Sequence, residues 1–210
     1  MTPYLKAIAP KRTERGLLVG QTGTGKSTLA PMLFPPTGSV LVLDPKGMFG
    51  GPSGLEDFQL VRNLHALRWS RKDRIQLRLH PRLDDTETWD RVFWWIWERK
   101  NTFVYIDEVN LISPGAFPIG GLRACITTGR ERGVGVLAAT QRPAGIPRIL
   151  RSESEWTYAF HLATDDDLEA VAESVENDIV VRRRAQGHQF WVHRQGWDRP
   201  RCMELNLEGR

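Results

Sequence analysis

Three groups of residues in this chain have types and spacing that could do chemistry. The first is Gly20-Gln21-Thr22-Gly23-Thr24-Gly25-Lys26-Ser27-Thr28, which meets G-x-x-x-x-G-K-[ST] at every fixed position. Its glycines permit the backbone angles that turn successive N–H groups onto phosphate oxygens. A helix beginning at the end of the run would aim its positive end at the same anion. Lys26 would reach the β- and γ-phosphates as a point charge, and the Ser27 hydroxyl would ligate Mg²⁺. The reading is therefore a site for ATP and Mg²⁺.

The second group is Phe103-Val104-Tyr105-Ile106-Asp107-Glu108, an apolar run ending in two carboxylates roughly 80 residues further on. Alternation along a strand would send them to opposite faces and different tasks. Asp107 is expected to hold the Mg²⁺ shell, and Glu108 to orient or deprotonate an attacking water. The third group is the run from Gly129 to Pro143, a glycine turn and an apolar strand ending in Thr140-Gln141-Arg142. Gln141 would then hydrogen-bond the γ-phosphate or the water. Arg130 is placed to reach the nucleotide of a neighbouring subunit, as an arginine finger worth about 10³–10⁵ in rate. A helix C-cap or a surface ion pair is its alternative role, and Arg132 and Arg142 are rival fingers.

Such residues need strands that end together. The β-rich runs are Gly16–Val19, Ser39–Leu43, Ile75–Leu79, Phe103–Ile106, Val134–Ala139 and Trp156–His161, with a final pair near Gln189–Arg194 and Cys202–Leu207. They alternate with helical patterns, and most early runs are apolar throughout, as in a parallel sheet covered on both faces. One helix is expected from about Thr86 to Arg99, capped by Asp84 or Asp85, with Trp89, Val92, Phe93 and Ile96 as its core stripe. Trp94, Trp95 and Trp97 fall outside that stripe and need cover from the fold or from a partner. Another helix should start near Thr164, with Asp165, Asp166 and Asp167 in its first turn. Pro31 should shorten or kink the helix after the glycine loop. Leu111–Gly121 holds three glycines and two prolines and reads as a loop, lining a pore or covering the site.

Composition bounds the rest. With 40% hydrophobic and 26% charged residues, the chain reads as globular and ordered. Its longest apolar run, Val92–Trp97, falls far short of the roughly 20 residues that cross a bilayer, and the N-terminus has no signal-peptide core. Cys125 and Cys202 give no metal or disulfide spacing and fit a reducing cytoplasm. The net charge is +4 and unevenly spread, with seven basic residues and one acidic from Arg62 to Arg82 and seven acidic residues from Thr164 to Asp178. The basic stretch suits a polyanion or a neighbouring subunit.

On GQTGTGKST, the VLVLDPKG run at Val40–Gly47, YIDE at Tyr105–Glu108 and GRERGVGVLAATQRP at Gly129–Pro143, the chain resembles the FtsK/HerA-type ATPases over roughly residues 14–165. The resemblance implies an α/β, three-layer P-loop NTPase fold, RecA-like and of the additional-strand catalytic-glutamate type, with a mostly parallel central sheet. It implies one domain over 1–210, with the core at about 14–165 and a C-terminal helix and strands at about 165–210. It implies a Mg-dependent ATPase that translocates double-stranded DNA without sequence preference, as a hexameric or pentameric ring. Arg130 falls at the family's trans-acting arginine and Gln141 at its sensor glutamine, while Asp44 and Lys46 match its DPKG, to which no role is assigned. The length suits a phage packaging enzyme of the host cytoplasm or virion, docking on a capsid portal or vertex protein. A conjugation or DNA-processing ATPase, or an assembly factor switched by nucleotide, is the alternative.

Overall fold

The structure, a computed structural model, describes residues 7–47, 49, 55–80 and 85–205. In chain order it contains β1 (Arg15–Val19), α1 (Lys26–Leu33), β2 (Ser39–Leu43), β3 (Gln59–Val61), α2 (Leu64–Trp69), β4 (Arg74–Leu77), α3 (Thr86–Arg99), β5 (Thr102–Ile106), α4 (Val109–Ile112), α5 (Gly120–Thr127), β6 (Gly135–Thr140), α6 (Arg148–Ser152), β7 (Trp156–Ala159), α7 (Asp165–Val175), α8 (Ile179–Arg182), β8 (Gln189–Arg194) and β9 (Arg201–Glu204). Among the described residues the strands form one sheet, ordered β3-β4-β2-β5-β6-β1-β7-β8-β9. Every pairing from β3 across to β7 is parallel, and the two pairings beyond β7 are antiparallel. The C-terminal ends of seven strands therefore share one edge, where an α/β sheet builds its ligand crevice.

Alternate side chains of the strands feed two cores. Leu18, Val40, Val42, Phe103, Tyr105 and Leu137 meet α1 through Leu29, Ala30 and Leu33 on one face. Leu17, Leu41, Val104, Ile106 and Val136 meet the stripes of α3, α5 and α7 on the other. Burial on both faces is why these strands carry almost no polar residue. The three layers are unequal, since α1 alone covers much of its side. α1 is eight residues long with Pro31 inside it, and Pro35-Pro36 follow Phe34 at its end. It is short, as a proline in its second turn requires.

Both amphipathic helices are capped by the side chain just before their first turn. Asp85 accepts the Thr88 N–H (2.7 Å) at the start of α3, and Thr164 accepts the Asp167 N–H at the start of α7. Asp84, the other candidate cap, lies outside the described residues, as do Asn206 and Leu207 of the expected last strand. Trp95 and Trp97 pack against the core beneath the guanidinium groups of Arg99 and Arg132, at 5.1 and 4.8 Å from the ring centres. Trp94 is 43% exposed, so the fold covers two of the three indoles.

Several boundaries differ from the sequence reading. β3 was not expected, because three residues carry no periodicity. β4 ends at Leu77, not Leu79, for its partner β2 ends at Leu43 opposite. β7 ends at Ala159, not His161, where β1 turns into the glycine loop beside it. β6 begins at Gly135, and β9 covers Arg201–Glu204. The irregular loop after the carboxylates spans only 113–119, because Gly120 and Gly121 open α5 instead of ending the loop. Gly121 lies where α5 touches α3, its N–H bonding Asp90 Oδ1 at 2.6 Å. A Cβ there would sit 2.7 Å from Phe93 Cβ and 2.9 Å from the Asp90 carbonyl. Gly121→Ala is therefore expected to destabilise the fold by about 1–3 kcal/mol through overpacking, outweighing alanine's better helix propensity. Denaturant unfolding midpoints of the two proteins would check it.

Candidate active site

The phosphate loop is made by strand β1 ending and helix α1 starting at the common edge. Gly20, Gly23 and Gly25 have φ of 150°, 82° and 113°, values that side-chain-bearing residues rarely adopt. Gly25 is also tightly enclosed, since a Cβ would lie 2.9 Å from Leu205 Cδ1 and 3.2 Å from Phe160 Cε1. Thr24 is buried and its hydroxyl donates to the Gln21 carbonyl at 2.8 Å, closing the turn. The Lys26 ammonium folds back on its own loop, donating to the carbonyls of Gly20 (2.5 Å) and Gln21 (2.8 Å). Burial pulls its pKa down to about 8, opposed by Glu108 and assisted by the nearby Lys46.

Beside the loop lies a cavity of about 460 Å³, lined by Thr22, Lys26, Ser27 and Thr28, by Lys46 and Phe49, and by Asp107, Glu108, Gln141 and His188. The carboxylates differ in setting, though not by strand alternation. β5 ends at Ile106, and Glu108 takes φ 137°, ψ 87°, a strained conformation for a residue with a side chain. That kink brings both carboxylates to one cavity. Asp107 accepts the Tyr105 hydroxyl at 3.0 Å, and burial raises its pKa to about 6 against that hydrogen bond. Glu108, 7% exposed, takes the Lys46 ammonium at 2.9 Å on Oε2 and the Gln141 N–H at 3.3 Å on Oε1. The Gln141 side chain in turn accepts the Thr22 hydroxyl at 3.0 Å, linking the end of β6 to the phosphate loop.

Ser27 and Asp107 offer a hydroxyl and a carboxylate to the same cavity. Hard oxygen donors of this kind suit Mg²⁺, and a cation would relieve the burial that keeps Asp107 from ionising freely.

Lys46 comes from the turn after β2, which had no assigned role. Asp44, fully buried, anchors that turn by accepting from Gln76 Nε2 (2.9 Å) and Arg78 Nε (3.0 Å). The VLVLDPKG run was the available signal; an ion pair 62 residues apart in sequence has no local one. His188 was missed outright. It reaches Thr24 from the segment before β8, with Nδ1 3.2 Å from the Thr24 carbonyl.

Arg130 stands apart. It lies in the turn before β6, at the N-terminal ends of the strands and so at the far edge from the loop that follows β1. There it pairs with Glu155, which also holds Arg15 at 3.2 Å. Arg132 donates to the Trp97 carbonyl at 3.0 Å. Arg142 is on the cavity's edge of the sheet, but its Nε is fixed to the buried Asp167 at 2.9 Å.

Strand order and loop together define a three-layer P-loop NTPase in which one additional strand, β6, separates the loop strand from the strand bearing the carboxylates. No family model matches the chain. In sequence it is similar to the DNA packaging ATPase P9 of Enterobacteria phage PRD1, with 28% identity over 176 residues, 81% of this chain and 74% of that protein. In structure it is similar to the genome packaging NTPase B204 of Sulfolobus turreted icosahedral virus 2 in complex with AMPPCP, with TM-score 0.75, 17% identity and coverage of 94% of this chain and 100% of that one. It is also similar to VirB4 of Thermoanaerobacter pseudethanolicus, with TM-score 0.64, 10% identity and coverage of 93% and 90%. The resemblance to the FtsK/HerA-type ATPases, and most to the small viral genome-packaging enzymes, is borne out.

The Lys26 environment gives a signed pH dependence. A triphosphate on the ammonium raises its pKa, so binding at pH 9 should take up a proton from solution, whereas at pH 7 Lys26 is already charged. Affinity should fall as pH rises above about 8. Calorimetry in two buffers of different ionisation enthalpy, at each pH, measures the uptake directly.

Proposed function

We propose that the chain is an ATP-hydrolysing motor that moves double-stranded DNA, and that its cargo is a viral genome entering a capsid. The observation that carries the ATPase part is Glu108, a carboxylate across one cavity from the phosphate loop, held by the Lys46 ammonium and the Gln141 N–H. The genome-packaging part is supported by the likeness to P9 along most of both chains.

The residues have separable tasks. The loop amides and Lys26 bind the triphosphate, with Lys26 leaving the Gly20 and Gln21 carbonyls for phosphate oxygens of far greater negative charge. Ser27 and Asp107 would hold Mg²⁺, which when bound neutralises charge on the β- and γ-phosphate oxygens. Glu108 takes the proton of the attacking water at a carboxylate oxygen. Oε2 is occupied by the Lys46 ammonium at 2.9 Å, so taking up a proton at that oxygen requires the carboxylate to part from the ammonium. Gln141 connects Glu108 to Thr22 and reports whether a γ-phosphate stands between them. Arg130 cannot reach its own subunit's nucleotide and would serve the next subunit in a ring. Docking on a capsid portal or vertex, and action in the host cytoplasm or virion, belong to the same reading. Among the described residues no helix is long and apolar enough to cross a membrane.

Lys26→Ala is expected to abolish nucleotide binding, and Glu108→Gln to keep binding while lowering turnover at least 100-fold. Both are checked by equilibrium binding and phosphate release, and a Glu108→Gln enzyme with normal turnover would remove the role given to that residue. Added duplex DNA should raise the wild-type rate; if hydrolysis is indifferent to DNA, the chain is a nucleotide switch and not a motor. Mixing Arg130→Ala with Glu108→Gln subunits should restore part of the lost activity, and failure at every ratio would show that the arginine does not act in trans.

A further inference from the structure

The outer edge of the sheet carries a group of charges that the nucleotide site does not use. β3 and β4 are its last two strands, and α2 crosses between them with Leu67 buried toward the core. His65, Arg68 and Trp69, at i, i+3 and i+4, form the exposed outer face of that helix. Arg62 lies just before α2 and Arg71 and Lys72 just after it, all exposed. Among the described residues, the guanidinium groups of Arg62, Arg68 and Arg71 and the ammonium of Lys72 make no ion pair or hydrogen bond. Arginines elsewhere, such as Arg78, Arg142, Arg148 and Arg184, have carboxylate partners. Trp69, next to Arg68 in the chain, is 75% exposed, and among the described residues the ring it meets is that of His65, 6.2 Å between centres. Asp73 is the single acidic residue of the segment.

We propose that this face, Arg62, Arg68, Arg71 and Lys72 around Trp69, is the surface on which duplex DNA is held, through its phosphates. Unpaired cations lose nothing within the protein when they engage an anion, and duplex DNA presents a charge about every 1.7 Å of axis. The indole offers a flat apolar body against sugar at the groove edge. A second copy of the chain is the weaker occupant. Its acidic helix α7 already has Asp165, Asp167 and Glu173 tied to Arg184, Arg142 and Arg148, leaving that helix only Asp166 and Glu169 against four cations. Arg62 also shares a small pocket with Lys46, so the face begins next to the lysine that holds Glu108. The proposal rests on the DNA-motor reading.

The test is the salt dependence of duplex binding. A labelled 30-base-pair duplex is titrated with wild type and with Arg68→Gln/Arg71→Gln/Lys72→Gln, by anisotropy, from about 50 to 300 mM KCl. Each phosphate contact contributes about 0.9 to the slope of log K against log salt, so the triple variant should lose about two to three from the slope and at least tenfold in affinity. ATP affinity and assembled mass should be unchanged. Trp69→Ala should weaken binding with the slope kept. An unaltered slope in the triple variant overturns the assignment of this face alone, as does loss of assembly with the slope intact, which would make the face a subunit contact. A wild type with no affinity for duplex DNA overturns both this assignment and the motor reading beneath it.

Discussion

The insertion of one strand between the phosphate loop and the carboxylates sets the scale of the site. β6 pairs with β1 on one side and β5 on the other, so Glu108 stands two strand spacings, roughly 10 Å, from the loop. That is too far for contact with the loop itself and about right for a γ-phosphate and a water in between. The end of β6 falls in the gap, and Gln141 there touches both sides, through Thr22 and through Glu108. On the far side of β5, β2 ends one spacing away and its turn delivers Lys46. Strand order alone thus lines up lysine, carboxylate, glutamine and phosphate loop along one edge.

The same order makes the site electrostatically self-contained. Two lysines and two carboxylates share a largely buried cavity, and each is provided for: Lys26 by loop carbonyls, Lys46 and Glu108 by each other, Asp107 by the Tyr105 hydroxyl. A buried charge left alone would cost several kcal/mol, and these internal contacts offset that cost. They are also the contacts that a triphosphate must exchange. On this reading binding would favour a polyanion, because only a strong anion displaces two carbonyls from an ammonium.

The glycine loop, the DE pair and Gln141 were legible because each is a local pattern at a strand end, and the apolar strands between them said that the ends would coincide. Lys46 was visible as a residue but not as a partner. Its pairing with Glu108 depends on β2 lying next to β5, an adjacency that no spacing in the chain encodes. His188 was invisible for the same reason, reaching Thr24 from a segment more than 160 residues away. The expected alternation of Asp107 and Glu108 failed because it applies only within a strand, and β5 ends before either. Short elements such as β3 offer too few residues for periodicity to act on, and Gly120-Gly121 looked like loop because helix–helix contact, not turn geometry, is what calls for a small residue there.

Arg130 shows what the fold imposes beyond a single chain. A parallel sheet puts all its strand ends on one edge and all its strand starts on the other. The phosphate loop follows β1 at one edge, and Arg130 precedes β6 at the opposite one, so no rotation of the side chain brings it to its own nucleotide. Its pairing with Glu155, half-buried and shared with Arg15, gives the guanidinium a defined position on that edge. If this arginine serves a triphosphate, two unlike edges must meet, one from each of two copies. Contacts between unlike surfaces are head-to-tail, and repeated by rotation they close only as a ring. The arrangement that makes Arg130 useless to its own subunit is the one that would make every subunit of a closed ring depend on its neighbour.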